Sequence, residues 1–236
     1  MANEQKVAVI TGGSQGIGEA LVRAYRTLGY RVVATSRSIA SSSDPDILNV
    51  AGDIGAPETG PKIIREALER FGRVDTLVNN AGIFLAGPFD EYSAEQYERV
   101  VATNLNGFFY TTQAALRAMR DRQSGHIVSI TTALIDHPLS AVPSALASLS
   151  KGGIAAATKS LAVEYAGRGI RVNAVAPGVI NTPMHAPETH EALAALHPVG
   201  RLGEIAEVVN AVLYLEGAEF VTGESIHVDG GQAAGH

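Results

Sequence analysis

The 236-residue chain has no cysteine. That excludes a disulfide framework, a thiolate metal site and a cysteine nucleophile. It is also short of positive charge. Eighteen Lys and Arg stand against 24 Asp and Glu, a net charge of −6. This balance argues against a general nucleic-acid surface or an anionic-membrane surface. No apolar run is long enough to span a bilayer. No apolar signal region follows the opening MANEQK, so a soluble cytoplasmic protein is expected. No His/Asp/Glu cluster has metal-site spacing, and His185 with His190 is off the i, i+4 register.

What is present describes a folded domain. Apolar residues make up 46% and charged residues 18%, a globular balance. The length fits one large α/β domain spanning 1–236 better than two small ones. Glycine is abundant, at 25 residues, or about 11% against an average near 7%. No collagen-like period accounts for it, so each glycine needs a local reason.

Strand and helix patterns alternate along the chain. KVAVI (6–10) is a β-rich run, TGGSQGIG follows, and a helix is expected from about Ile17 to Leu28. RVVATS (31–36) is the second strand, and ILNVAGDI gives a third that ends near Asp53. Residues 61–72 carry Ile63, Ile64, Ala67, Leu68 and Phe71 at helical spacing. DTLVNNAG (75–82) is a strand running into a loop. Ser93 and Gln96 have the spacing of a capping box. Helices are predicted over roughly 104–122, 144–166 and 204–215, and strands at 125–132, in IRVNAVAPG and in ESIHVDGG. Several strands are continuous Val/Ile runs. The expected fold is therefore a doubly wound, Rossmann-type parallel sheet of about seven strands with helices on both faces.

TGGSQGIG lies between the first strand and the first helix, the context a dinucleotide site needs. Gly12 suits a tight turn, Gly16 a close backbone approach to pyrophosphate, and Gly18 the packing of helix on sheet. The helix N-terminus then offers free N–H groups to the anion. The alternative is a merely structural glycine turn. The spacing is G-x-x-x-G-x-G, not the ordinary G-x-G-x-x-G. At the end of the second strand stand Ser36 and Arg37, with no acid. An acid there would suit the ribose 2′-OH of NAD, whereas an arginine suits the 2′-phosphate of NADP. Arg37 therefore favours NADP(H) over NAD(H), unless it is only a solvated surface residue. Gln15 adds no second positive charge. Asp53 is placed to accept from an adenine amino group, or else to cap a loop.

TGGSQGIG (11–18), Asp53, LVNNAG (77–82), Asn104 in NLNG, IVSITT (127–132), Lys151 in SKGG, RVNAVAPGVINTPM (171–184) and HVDGG (227–231) occur in that order. Jointly they resemble the short-chain dehydrogenase/reductase family, over almost the whole chain. The resemblance implies nicotinamide cofactor binding by Gly12, Ser14, Gln15, Gly16, Ile17, Gly18, Ser36, Arg37, Asp53, Ile54, Asn80, Ala81, Gly82, Lys151, Pro177, Gly178, Val179 and Thr182. Asn79 to Gly82 would back the adenine-ribose side and steady the central strand. Pro177–Met184 would bracket the nicotinamide, with Val179 near the carboxamide and Thr182 near the carboxamide or the phosphates. Residues from about 184 to 199 would form a mobile substrate lid. Helices 104–122 and 144–166 would be dimer faces, giving a homotetramer or homodimer.

The same resemblance implies a catalytic serine, tyrosine, lysine and asparagine. Asn104 and Lys151 are present. Thr132, or else Thr131, falls at the serine position and keeps a hydroxyl. The tyrosine, expected four residues before Lys151, is Ala147. No tyrosine lies between Tyr110 and Tyr165, so no shift of register restores it. The gap from Thr132 to Lys151 is also slightly longer than the family's. Three replacements for the acid suggest themselves. His137 follows the strand that carries Thr132 and has a suitable intrinsic pKa, although it could equally be a surface or pocket-lining histidine. Ser144 and Ser148 are closer to the gap but are poor acids unassisted. Lys151 could act directly or through water. His185 and His190, in the lid, are expected to face solvent. Two functions follow from these residues. One is an NADP-linked oxidoreductase acting on a small carbonyl or alcohol, with altered proton delivery. The other is a nucleotide-binding pseudoenzyme, sensor or non-catalytic subunit without dehydrogenase activity.

Overall fold

A computed structural model describes residues 5–235; Met1–Glu4, within the polar opening MANEQK, and His236 lie outside the described residues. Seven strands form a single sheet: β1 (Val7–Thr11), β2 (Arg31–Ser36), β3 (Ile47–Ala51), β4 (Thr76–Asn79), β5 (Gly125–Ile130), β6 (Ile170–Pro177) and β7 (Ser225–Val228). Their spatial order is β3-β2-β1-β4-β5-β6-β7, and every neighbouring pair is parallel. The chain runs outward from β1 to β3, then crosses back to start β4 on the other side of β1. That reversal creates the crevice at which open parallel sheets bind ligands, outside the carboxyl ends of the strands.

The Val/Ile runs form central strands because both of their faces are buried. Val7, Val9, Leu77, Ile127 and Val172 pack beneath α2 (Thr59–Phe71), α4 (Gly107–Arg122) and α5 (Ala145–Ala166). Ala8, Ile10, Val78, Val128 and Val175 pack beneath α1 (Gly16–Thr27) and α7 (Ile205–Gly217). Ser93 and Gln96 do form a reciprocal capping box, at the start of α3 (Ala94–Val100). The predicted helix over 104–122 begins later, at Gly107. Before it the backbone widens into a π-helical segment, Val101–Asn106. Beyond β6 the chain makes a short 3-10 turn (Pro187–Thr189) and the five-residue α6 (His190–Ala194). Among the described residues, no helix is long and apolar enough to cross a membrane.

Candidate active site

A cavity of about 750 Å³ opens at the carboxyl end of the sheet, a size suited to a cofactor with a small substrate. Every residue expected at the cofactor lines it: Gly12, Ser14, Gln15, Gly16, Ile17, Gly18, Ser36, Arg37, Asp53, Ile54, Asn80, Ala81, Gly82, Lys151, Pro177, Gly178, Val179 and Thr182.

The glycine loop is built for close approach. Gly12 has φ +69°, in the left-handed region, and a Cβ at Gly18 would lie 2.0 Å from the Gly12 carbonyl oxygen. A side chain at either position would break the turn. Asn80 pins the loop from β4, its amide donating to the carbonyls of Thr11 (2.9 Å) and Gly12 (3.2 Å). No side chain caps the start of α1, so its first N–H groups stay available to an anion. At the other end, Thr35 Oγ1 and Ser36 Oγ are buried with no hydrogen-bond partner, and both residues line the cavity beside Arg37. These groups fit a phosphate-bearing nucleotide. Asp53 carries out its capping alternative, accepting from the N–H of Gly55 at 3.0 Å, while still bordering the cavity. Thr182 sits on the phosphate side, its Cβ 3.9 Å from where a Cβ on Gly16 would stand.

Lys151 is partly buried on α5 and borders the cavity. Its ammonium donates to the Thr131 carbonyl at 2.9 Å, and burial draws its pKa from 10.5 down to about 8. Thr132 also lines the cavity. Its Oγ1 accepts from the N–H of Leu134 at 3.4 Å, which leaves the hydroxyl proton free to donate. Thr131, the other hydroxyl considered, donates instead to the Val175 carbonyl at 3.1 Å. Asn104 is held inside the widened turn. It exchanges hydrogen bonds with the backbone of Ile83 (2.9 and 3.0 Å) and donates to Ser150 Oγ (3.1 Å). Asn104 does not line the main cavity. With Lys151 it borders a second pocket of about 10 Å³, room for at most one water.

Three expectations change. His137 is not among the residues lining the cavity. The 3-10 turn Ala133–Ile135, capped by Thr132, carries it away, and its N–H bonds back to the Ala133 carbonyl at 3.1 Å. Ser144 and Ser148 do not line the cavity either. In contrast, His185 does not simply face solvent. It is partly buried and lines the cavity, and burial lowers its pKa, with His190 adding to the shift. Ala147 is 1% exposed and lines no part of the cavity. The space expected for a tyrosine is closed. Leu134, Leu139 and Val142, from the stretch before α5, line the cavity instead.

Several lining residues carried no sequence signal. Among them are Phe84, Arg99, Leu193, Leu196 and Gln232. His197 does not line the cavity but is 3% exposed and ties the segment before it to the loop after β6. Its Nδ1 donates to the Leu193 carbonyl (3.1 Å) and its Nε2 accepts from the N–H of Val179 (2.9 Å). A histidine within a loop has no periodicity to mark it.

Comparison with known proteins agrees with this geometry. Residues 12–233 match a family model described as enoyl-(acyl carrier protein) reductase. The chain belongs to the short-chain dehydrogenase/reductase family. It is 37% identical to 3beta-hydroxysteroid dehydrogenase 1 of Eggerthella lenta, over 96% of this chain and 93% of that one. It is also 37% identical to an acetoacetyl-CoA reductase of Acinetobacter sp., over 97% and 98%. The solved structure of ElxO with NADP bound superposes with a TM-score of 0.91 at 31% identity, covering 98% of this chain and 100% of that one.

Proposed function

We propose that the chain is an NADP(H)-dependent oxidoreductase of one domain, interconverting a small carbonyl compound and its alcohol, with Lys151 delivering the proton. NAD(H) is the weaker cofactor. The observation that carries this reading is the Lys151 ammonium at the cavity wall, fixed against the Thr131 carbonyl beside Thr132 with no tyrosine to partner it. The cofactor preference rests on Arg37 and the unpartnered Ser36 hydroxyl. NADP bound to ElxO, a relative at 31% identity, points the same way. The names of the similar reductases and dehydrogenase support a carbonyl or alcohol as substrate. Exposed Phe109 on α4 and Leu149 and Val163 on α5 suit the dimer faces of a homodimer or homotetramer. Nucleic acid and membrane are not proposed partners.

The bound nicotinamide supplies or accepts the hydride. The chain's own groups do the rest. The Thr132 hydroxyl orients the substrate oxygen. One N–H of Lys151 is spent on Thr131, so two remain to protonate that oxygen directly or through a water. A water in the small pocket shared with Asn104 resupplies the ammonium. His137, outside the cavity, is dropped as the donor.

A second reading, nucleotide binding without dehydrogenase chemistry, draws on Ala147 and the closed wall beside it. Losing a general acid costs a rate factor of roughly 10²–10⁴ and spares binding. Following NADPH absorbance over a broad carbonyl panel separates the two. Turnover that Lys151→Met abolishes supports the first reading. Tight NADPH binding with no turnover on any carbonyl sinks it.

A further inference from the structure

Gln232 stands apart in the cavity wall. It is 1% exposed, buried as completely as the core leucines and isoleucines. Its amide nitrogen is buried and has no hydrogen-bond partner. Leaving a buried donor unpaired costs about 1–3 kcal/mol, so such groups in a native structure call for a partner from outside the chain. Gln232 lines the same cavity as Thr132 and Lys151.

Its backbone is anchored. The Asp229 carboxylate accepts from the N–H of Gly231 (3.0 Å) and of Ala233 (2.7 Å). Gly231 takes the left-handed φ of +91° that turns the chain inward. The resulting 3-10 turn, Gln232–Ala234, packs on the turn Ala133–Ile135 that Thr132 caps. The donor is therefore fixed relative to the hydroxyl that would orient a substrate carbonyl. Leu134, Leu139, Leu193 and Leu196 line the same cavity, and their side chains carry no acceptor.

We infer that Gln232 is a specificity residue whose amide receives a second oxygen of the substrate, so that the site selects bifunctional carbonyl compounds over simple ketones. This rests on the oxidoreductase reading for the identity of the first oxygen. A site built around a buried donor rejects an analogue that lacks the acceptor, because the donor is left unpaired in the complex.

The test uses the full-length protein saturated with NADP+, where a ketone can bind without turning over. Dissociation constants are measured by calorimetry for butane-2,3-dione, pentane-2,4-dione and hexane-2,5-dione, against pentan-2-one and hexan-2-one. Wild type should prefer one diketone spacing by about tenfold or more over the matched monoketone. Gln232→Leu and Gln232→Met, close in volume and without the donor, should erase that preference and leave NADP+ affinity unchanged. A wild type that shows no preference, a preference that survives both variants, or a loss of NADP+ affinity in both would overturn the inference. NADPH oxidation is followed in parallel. Diketone binding that depends on Gln232, with no oxidation of NADPH, would sink the oxidoreductase reading and leave the role of Gln232 standing.

Discussion

Lys151 makes a prediction that needs no substrate. Burial lowers the Lys151 pKa from 10.5 to about 8. Below pH 8 the ammonium is charged in folded and unfolded chains alike, and the folded state bears the full desolvation cost. Between pH 8 and 10.5 the unfolded chain holds a proton that the folded chain has released, so stability rises with pH. Each unit is worth about 1.36 kcal/mol. Lys151→Met removes the charge and, with it, this dependence. It also removes the bond to the Thr131 carbonyl (2.9 Å), a loss of about 1 kcal/mol that both lysine forms share. That loss cancels when one variant is compared across pH. Relative to wild type, Lys151→Met should therefore lose about 2 kcal/mol of its standing between pH 7 and 9.5, 1.5 units above the folded pKa. Urea denaturation of both apo proteins, at one protein concentration to hold any assembly constant, measures it. A wild-type-minus-variant difference that stays flat from pH 7 to 9.5 would refute a lysine that releases its proton near pH 8 and remove the proposed acid with it.

Three further outcomes follow. Arg37→Ala should weaken NADPH binding by about 10- to 100-fold, the worth of a charge-assisted contact, and leave NADH affinity alone; equal loss for both would remove Arg37 from the 2′-phosphate. At the opposite end of the sheet, Glu216 accepts from Tyr25 (3.0 Å), Tyr30 (2.9 Å), Thr76 (3.0 Å) and His126 Nδ1 (3.0 Å). Burial pushes its pKa up, but these donors outweigh it and hold the pKa at about 2. Glu216→Gln sets an amide against those donors and should cost about 2–4 kcal/mol. Wild type alone should lose about 3 kcal/mol from this group as pH falls from 4.5 to 2; parallel acid denaturation of the two proteins would contradict this. Ala147→Tyr forces a ring into a covered position and should destabilise by about 1–3 kcal/mol with no gain in NADPH oxidation. A gain in activity at unchanged melting temperature would show that the wall opens.

The cofactor end was legible because its signals are local. A glycine between strand and helix either fits the turn or does not, and Gly12 and Gly18 each meet backbone or side-chain atoms that exclude a Cβ. The strands were legible for the same reason, since continuous Val/Ile runs bury both faces. What the sequence hid depends on contacts between distant segments. Nothing in VATNLN marks a widened turn, yet that turn sets Asn104 against Ile83 and Ser150. His137 and His185 were told apart only by the path of the chain. A capped 3-10 turn removes the first from the cavity, and the path of the chain after β6 brings the second to it. Gln232 follows the recognisable HVDGG without any pattern of its own, and only its burial and its missing partner single it out.

Ala147 and Lys151 are four residues apart on α5, on one face and one turn from each other. In the family pattern that spacing lets a lysine cation draw a tyrosine hydroxyl toward neutrality. Here the phenol is gone, and apolar side chains from the stretch before α5 line this end of the cavity. The change acts on the lysine in two ways. It removes a polar neighbour that would help solvate the ammonium, and it leaves the Thr131 carbonyl as its one hydrogen-bond partner among the described residues. Both raise the cost of the charge, in line with a pKa near 8. A phenol needs a cation to become a useful acid at neutral pH, whereas a desolvated ammonium needs none. In the mechanism proposed above, proton delivery moves one helical turn along α5. Its signature in the reductive direction is a rate that falls tenfold per unit as pH rises above about 8, and a rate that holds level through pH 9.5 would place the proton elsewhere.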